Sequence, residues 1–116
     1  MSSSRTFRIK QGDTAPILSV VPLDEDANAI PLAAATSVTF TMKLPDGPAI
    51  VDEAVASINL GAGPDGEDLL EYEWQAGDTD QDGILDGEFE VTWSDGTKTT
   101  FPNFSYIQII IKEQLS

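Results

Sequence analysis

The residues best suited to chemistry in this chain lie in one short loop, 78–86, with the sequence DTDQDGILD. Aspartates occupy its first, third and fifth positions and a glycine its sixth, a spacing typical of loops that fold carboxylates around a calcium ion. Such a cation takes about six to eight oxygen ligands, and the glycine allows the sharp turn. The sequence therefore predicts a calcium site whose oxygen ligands come from Asp78, Asp80, Asp82, Ile84 (through its carbonyl), Asp86 and Glu88.

This loop departs from a helix–loop–helix calcium site in two respects. Its twelfth position, where such a site supplies a bidentate glutamate, is Phe89, with Glu88 and Glu90 on either side. The residues that follow alternate between apolar and polar, which predicts a strand where the site would continue into a helix. The alternative interpretation is a surface hairpin loop in which Asp and Gly provide only turn geometry. Calcium is therefore predicted as a ligand that the fold does not require.

The chain lacks the side chains on which most catalytic sites depend. It contains no histidine and no cysteine, which excludes disulfides, thiolate metal sites and Ser–His or Cys–His nucleophile pairs. Its 20 acidic residues form carboxylate pairs by chance, and none lies in a motif typical of a glycosidase. No phosphate-binding loop, nucleophile elbow or dinucleotide fingerprint is present. The sequence therefore predicts a protein without enzymatic activity.

The charge of the chain is strongly negative, with a net charge of −14 from 20 acidic and 6 basic residues. No basic residue occurs between Lys43 and Lys98. Nucleic-acid binding is disfavoured because contacts to phosphates require clustered Lys or Arg. No apolar run approaches the roughly 20 residues that span a bilayer, so no membrane association is expected. The charge predicts a solvated acidic surface. The more specific alternative is that the acidic residues bind a cation or a basic partner.

Two runs that flank the Asp-rich loop carry the strongest strand signals. In Leu69–Trp74 and Gly87–Trp93, apolar and polar side chains alternate with period two, as in strands that bury one face. Turn signals separate the other predicted strands roughly every eight to twelve residues. These are Thr6–Lys10, Ala15–Leu23, Val38–Leu44, Ala49–Val51, Ala54–Leu60, Lys98–Phe101 and Tyr106–Lys112. The pattern predicts an all-β fold, an antiparallel β-sandwich of about seven to nine short strands without a helix.

The same alternation predicts which side chains form the core. Trp74 and Trp93 lie on the apolar faces of the two strongest strands, which favours core packing over a carbohydrate-binding platform. Residues 30–36 are expected to cross irregularly between strands, and residues 1–4 to form a flexible N-terminal tip. The predicted core comprises Phe7, Ile9, Val20, Val38, Phe40, Met42, Ile58, Leu70, Tyr72, Trp74, Phe89, Val91, Trp93, Ile107 and Ile109.

Four segments resemble a known family when they are taken in order. They are FRIKQGDT, IPLAAATSVTFTMKLPDG, LEYEWQAGDTD and GEFEVTWSDGTKTTFPNFSYIQIII, and together they resemble the immunoglobulin-like N-terminal domain of baseplate upper proteins of tailed bacteriophages and of related small tail proteins. The resemblance implies one immunoglobulin-like sandwich over residues 5–116. It also implies a structural protein of the virion, assembled in the host cytoplasm, which acts as an adaptor or spacer of the tail or baseplate.

The partners that this resemblance implies are other tail or baseplate proteins, together with further copies of the chain in the particle. Exposed strand edges and the basic N-terminal arm of Arg5, Arg8 and Lys10 are candidate contact surfaces. Two alternatives stay open at this point. The first is a decoration protein of the capsid head, which would share the fold, and the second is a calcium-dependent adhesin or carbohydrate-binding module.

Overall fold

The protein consists of two β-sheets packed face to face, in a computed structural model that describes residues 5–102 and 105–115. Over these ranges the chain contains strands and turns but no helix, and therefore no helix that could cross a membrane. The predicted N-terminal tip, residues 1–4, lies outside the described residues. The strands are β1 Arg5–Lys10, β2 Leu18–Val20, β3 Ala35–Lys43, β4 Ala49–Val55, β5 Ser57–Asn59, β6 Leu69–Tyr72, β7 Gly83–Trp93, β8 Lys98–Phe101 and β9 Ile107–Lys112.

The strand order is that of an immunoglobulin-like sandwich. The six-stranded sheet runs β1-β9-β7-β3-β4, with β8 paired to the second half of β7, and the three-stranded sheet runs β2-β6-β5. In immunoglobulin terms β3, β7 and β9 correspond to strands C, F and G, while β2, β6 and β5 correspond to B, E and D. Among the pairs of named strands all are antiparallel except β1 with β9. The predicted all-β sandwich is therefore confirmed, with one parallel pair at its edge.

Several predicted strands have different bounds in the structure. Strand β3 begins at Ala35, inside the segment 30–36 that was predicted to cross irregularly, β4 extends to Val55 and β6 ends at Tyr72.

Three other differences follow from the pairing of the strands. The strand predicted over Ala15–Leu23 shortens to β2, at the edge of its sheet, where prolines that lack an N–H flank it. The segment Ala54–Leu60 is divided between β4 and β5, because the chain passes from one sheet to the other at Ala56. Strand β7 begins at Gly83, four residues before its predicted start, since Gly83–Gly87 pairs with β9. The second half of the Asp-rich loop is therefore strand.

Buried apolar side chains from both sheets form one cluster. Most of the predicted core is buried, whereas Phe7, Ile58 and Trp93 are partly buried against the cluster. Phe40 lies at the centre, with its ring centroid 4.7 Å from that of Tyr72 and 5.0 Å from that of Phe89. Six further hydrophobic side chains that the predicted core omits are buried in this cluster: Leu18, Leu32, Val51, Leu85, Phe101 and Ile111.

Gly87 allows β7 to approach the central aromatic ring closely. A Cβ atom at this position would lie 3.1 Å from Cε1 and Cζ of Phe40 and 3.4 Å from Cγ1 of Ile109. Since the ring of Phe40 is fully buried, it has little freedom to move away. We expect Gly87→Ala to lower the free energy of unfolding by about 1 kcal/mol. The added methyl group overpacks the core, and this destabilisation is larger than the stabilisation gained because alanine restricts the unfolded chain more than glycine does. Urea denaturation measures this difference. Gly87→Ala should lower the free energy of unfolding by less in a protein that already carries Phe40→Leu, and equal losses with and without Phe40→Leu would contradict the assigned contact.

Candidate functional site

The first aspartate of the loop, Asp78, belongs to a hydrogen-bonded corner. Its Oδ2 accepts a hydrogen bond of 2.6 Å from the hydroxyl of Tyr72 and one of 2.8 Å from the backbone N–H of Gln75. Tyr72 is the last residue of β6 and is buried. The corner fixes the start of the β6–β7 connection. It is comparable to the tyrosine corner of immunoglobulin domains, although its tyrosine lies on the strand before that connection.

The next residues of the loop are bound to the turn between β1 and β2. Thr79 is buried, and its hydroxyl donates a hydrogen bond of 2.8 Å to the carbonyl of Asp13. The N–H of Gly12 donates to the carbonyl of Thr79 at 3.1 Å. The side-chain amide of Gln11 donates to the carbonyl of Asp80 at 2.7 Å. These contacts join two turns that are distant in sequence, so the loop has a structural role whether or not it binds a cation.

Asp86 and Glu88 project from the outer face of β7. Their neighbours Leu85, Gly87 and Phe89 are buried on the inner face, and side chains alternate along a strand. Asp86 lies four positions after Asp82 along nearly extended chain, a distance of about 13 Å. Strand geometry therefore carries the second half of the predicted ligand set away from the first.

The six predicted calcium ligands occupy three separate places. Asp78 lies in the corner, Asp80 and Asp82 lie exposed in the loop, and Ile84, Asp86 and Glu88 lie on β7. Within residues 5–102 and 105–115, no group of three or more acidic side chains is placed to hold a metal ion. Calcium binding stays a prediction, and it would require the loop to rearrange around the cation.

The calcium prediction has a direct thermal test. If Asp80 and its neighbours hold Ca²⁺, about 1 mM of the ion should raise the Tm by several degrees, because a ligand that binds only the folded state stabilises it. Asp80→Ala should abolish the rise, whereas Asp46→Ala, which removes an exposed acid from the β3–β4 turn, should leave it intact. Mg²⁺ at the same ionic strength controls for charge screening. Superimposable melting curves with Ca²⁺ and with a chelator would exclude the site.

The hydroxyl of Tyr72 makes stability sensitive to alkaline pH. Burial, the hydrogen bond to Asp78 and the charge of that carboxylate all raise the pKa of Tyr72 above its usual value. The folded state therefore favours the neutral phenol, and the resulting stability is fully present below about pH 10 and is lost as the pH rises further. We expect the free energy of unfolding to fall by up to about 1.4 kcal/mol per pH unit above that point. Urea denaturation between about pH 9 and pH 11 measures how steeply the free energy of unfolding falls with pH. Tyr72→Phe should make this dependence weaker, whereas Tyr106→Phe, which removes an exposed phenol, should leave it unchanged.

The outer face of the six-stranded sheet carries both signs of charge, and we refer to it as the mixed face. Strand alternation places three acidic side chains of β7 there, Asp86, Glu88 and Glu90. The Nζ of Lys98 lies 3.9 Å from Oε1 of Glu90, an exposed pair that contributes little to stability. Five basic side chains project from this face: Arg8, Lys10, Lys43, Lys98 and Lys112. The sixth basic residue of the chain, Arg5, begins β1.

A depression of about 230 Å³ lies on the mixed face between β3 and β7. Tyr106, which is 52 % exposed, contributes apolar surface to its lining, and Ile84 of β7 is a second exposed apolar side chain on the same face. Its lining combines one cation and two carboxylates with a hydroxyl and a phenol, and these suit contacts with polar side chains of another protein. The lining residues are Thr41, Lys43, Pro45, Asp86, Glu88 and Tyr106.

The outer face of the three-stranded sheet is polar, and we refer to it as the acidic face. At its centre Glu71 accepts a hydrogen bond of 3.0 Å from the hydroxyl of Ser19 on β2 and a longer one of 3.5 Å from the amide of Asn59 on β5. Glu73 lies on the same side and is exposed. None of the basic side chains in the described ranges lies on this face, so Glu71 is held in position without a cation beside it. Sequence reasoning missed this arrangement because it depends on the pairing of three separate strands.

Sequence comparison does not add a relative. No family model matches the chain, and no curated protein matches it significantly. Its function is therefore inferred from the fold, the distribution of charge and the contacts described above.

Proposed function

We propose that this protein is a non-enzymatic structural protein of a tailed-bacteriophage particle, which acts as an adaptor or spacer of the tail or baseplate through protein–protein contacts. The observation that carries the proposal is the pair of sheet faces, one mixed and one acidic, on opposite sides of an immunoglobulin-like sandwich. A sandwich of this kind offers two broad surfaces for neighbours, and segregated charge gives each surface a different preferred partner.

The fold supports this proposal because it agrees with the one that the resemblance implies. Its hairpin between β7 and β8 occupies the segment Ser94–Thr97, where Asp95 accepts hydrogen bonds from the N–H (3.0 Å) and the hydroxyl (2.6 Å) of Thr97. The Phe101-Pro102 sequence follows at the end of β8, before the chain returns as β9. Since the resemblance rests on the order of such segments, their places on successive strands support the family relationship.

Electron microscopy of labelled particles tests the proposal. Antibodies raised against the folded protein, followed by gold-labelled secondary antibodies, are expected to mark the tail or baseplate of the phage that encodes the chain. Antibodies absorbed beforehand with purified protein are the control and should give unlabelled particles. Label on the capsid would instead assign the protein to head decoration. Particles that bear no label, although the protein is detected in infected cells, would exclude a structural role in the virion.

A further inference from the structure

We propose that copies of this protein associate head to tail, with the acidic face of one copy against the mixed face of the next. The inference rests on the proposed role as a contact module and adds which two faces of neighbouring copies meet. The contact is heterologous, because two different surfaces meet. Repeated association of this kind produces rings or open stacks of copies.

Charge complementarity selects this pairing of faces. The mixed face presents five basic side chains, among them Arg8 on β1 and Lys43 on β3. They lie among three acidic side chains of β7 and the exposed acids of β4, so this face offers cations to an acidic partner while carrying both signs of charge. The acidic face presents Glu71 and Glu73 without a basic side chain among the described residues. Two acidic faces would repel each other, whereas an acidic face opposite a mixed face brings opposite charges together.

The carboxylate of Glu71 is positioned to receive a cation from a neighbouring copy. Its two oxygens accept hydrogen bonds from different strands, one of 3.0 Å from Ser19 and a longer one of 3.5 Å from Asn59. A carboxylate oxygen has more than one acceptor site, so each oxygen keeps capacity for a further bond. Because its neighbours already orient it, less side-chain entropy is lost when an Arg or Lys of the next copy binds.

The size of the acidic face indicates that one contact is weak. Strands β2, β5 and β6 have 3, 3 and 4 residues, so the surface they offer is small. The net charge of −14 adds repulsion between copies, although at about 0.15 M salt charges more than about 8 Å apart are screened. A dissociation constant on the order of 0.1–1 mM is expected, a range that becomes effective where copies are held close together in a particle.

Charge reversal on the two faces tests the inference. The first variant combines Arg8→Glu with Lys43→Glu on the mixed face, and the second combines Glu71→Arg with Glu73→Arg on the acidic face. The control combines Asp26→Arg with Asp65→Arg, two exposed acids in the β2–β3 and β5–β6 connections, and has the net charge of the second variant. Analytical ultracentrifugation at up to about 1 mM protein in about 0.15 M salt measures association. Circular dichroism confirms that each variant is folded.

For the wild type and the control, we expect the average molecular mass to increase with protein concentration and to exceed the mass of a dimer. For each face variant alone, the dissociation constant should rise at least about tenfold. An equal mixture of the two face variants should recover it, because the reversed mixed face of one complements the reversed acidic face of the other. A mixture that stays monomeric would overturn the inference.

Two further results would also overturn it. A wild type that remains monomeric at about 1 mM would exclude self-association of the expected strength. Unchanged association of the Glu71→Arg, Glu73→Arg variant would show that the acidic face takes no part. If antibodies label the particles but the wild type is monomeric, the inference of self-association is wrong and the proposed function still stands. Self-association without labelled particles would remove the proposed function.

Discussion

Replacement of Phe40 by alanine is expected to lower the free energy of unfolding by about 3–5 kcal/mol. Phe40 is fully buried on β3, which lies between β7 and β4 in the six-stranded sheet. Its ring centroid lies 4.7 Å from that of Tyr72 and 5.9 Å from that of Trp74. Tyr72 belongs to the opposite sheet, so the ring of Phe40 links the two layers of the sandwich. Alanine would remove these contacts and leave a cavity that a close-packed core fills only in part.

Guanidinium denaturation, followed by the fluorescence of Trp74 and Trp93, measures the effect of this change. Phe7→Ala is the matched control, since Phe7 is only partly buried and its ring lies 5.8 Å from that of Trp74. We expect the control to lose about 1–2 kcal/mol, in proportion to its smaller burial. Phe40→Leu keeps most of the volume and should remain folded even if Phe40→Ala does not. Equal losses for Phe40→Ala and Phe7→Ala would contradict the central position of Phe40.

Period-two alternation predicted the strands that bury one face and the side chains they bury. Phe89 and Val91 on β7 and Ile107 and Ile109 on β9 are buried as expected, because local sequence alone decides which side of a strand is apolar. The same alternation continues backwards through Leu85, which is also buried. The aspartates around it obscured this signal. Composition therefore predicts a loop up to Asp86, whereas β7 begins four residues before the predicted Gly87.

The partition of strands between the two sheets could not be predicted from local sequence. Val55 and Ser57 are separated by one residue and belong to different sheets. Leu32 lies in an irregular crossing, yet it is buried, and its N–H donates a hydrogen bond of 2.8 Å to Asp68. Such positions depend on contacts between distant segments, which periodicity does not encode.

The candidate surfaces show the same division between local and tertiary information. The sequence indicates that no basic residue lies between Lys43 and Lys98. It does not indicate that the described basic side chains lie on one face, because that follows from the order of β1, β9, β7 and β3. Likewise, the spacing of the aspartates predicted a common ligand, whereas strand pairing separates them. The tertiary fold thus determines both the surface charge pattern and the role of the loop.

Replacement of Asp78 by alanine is expected to lower the free energy of unfolding by about 2–3 kcal/mol. The change removes the acceptor of two hydrogen bonds, 2.6 Å from the hydroxyl of Tyr72 and 2.8 Å from the N–H of Gln75. Hydrogen bonds to a charged group contribute more than neutral ones, and the buried hydroxyl of Tyr72 would lose its partner. The backbone contact between Gly12 and Thr79 remains in the variant, so the loop should loosen at its start without detaching from the β1–β2 turn.

Urea denaturation in the presence of a chelator isolates this effect from any bound cation. Asp80→Ala is the matched control, because Asp80 is exposed and only its backbone takes part in the assigned hydrogen bonds of the described residues; we expect a change within about 0.5 kcal/mol. Tyr72→Phe combined with Asp78→Ala completes a double-mutant cycle, in which a coupling of about 1 kcal/mol or more is expected. A loss for Asp78→Ala no larger than that for Asp80→Ala would show that the loop aspartates act alike. In that case the corner would not hold the loop, and the carboxylate of Asp78 would be available to a cation.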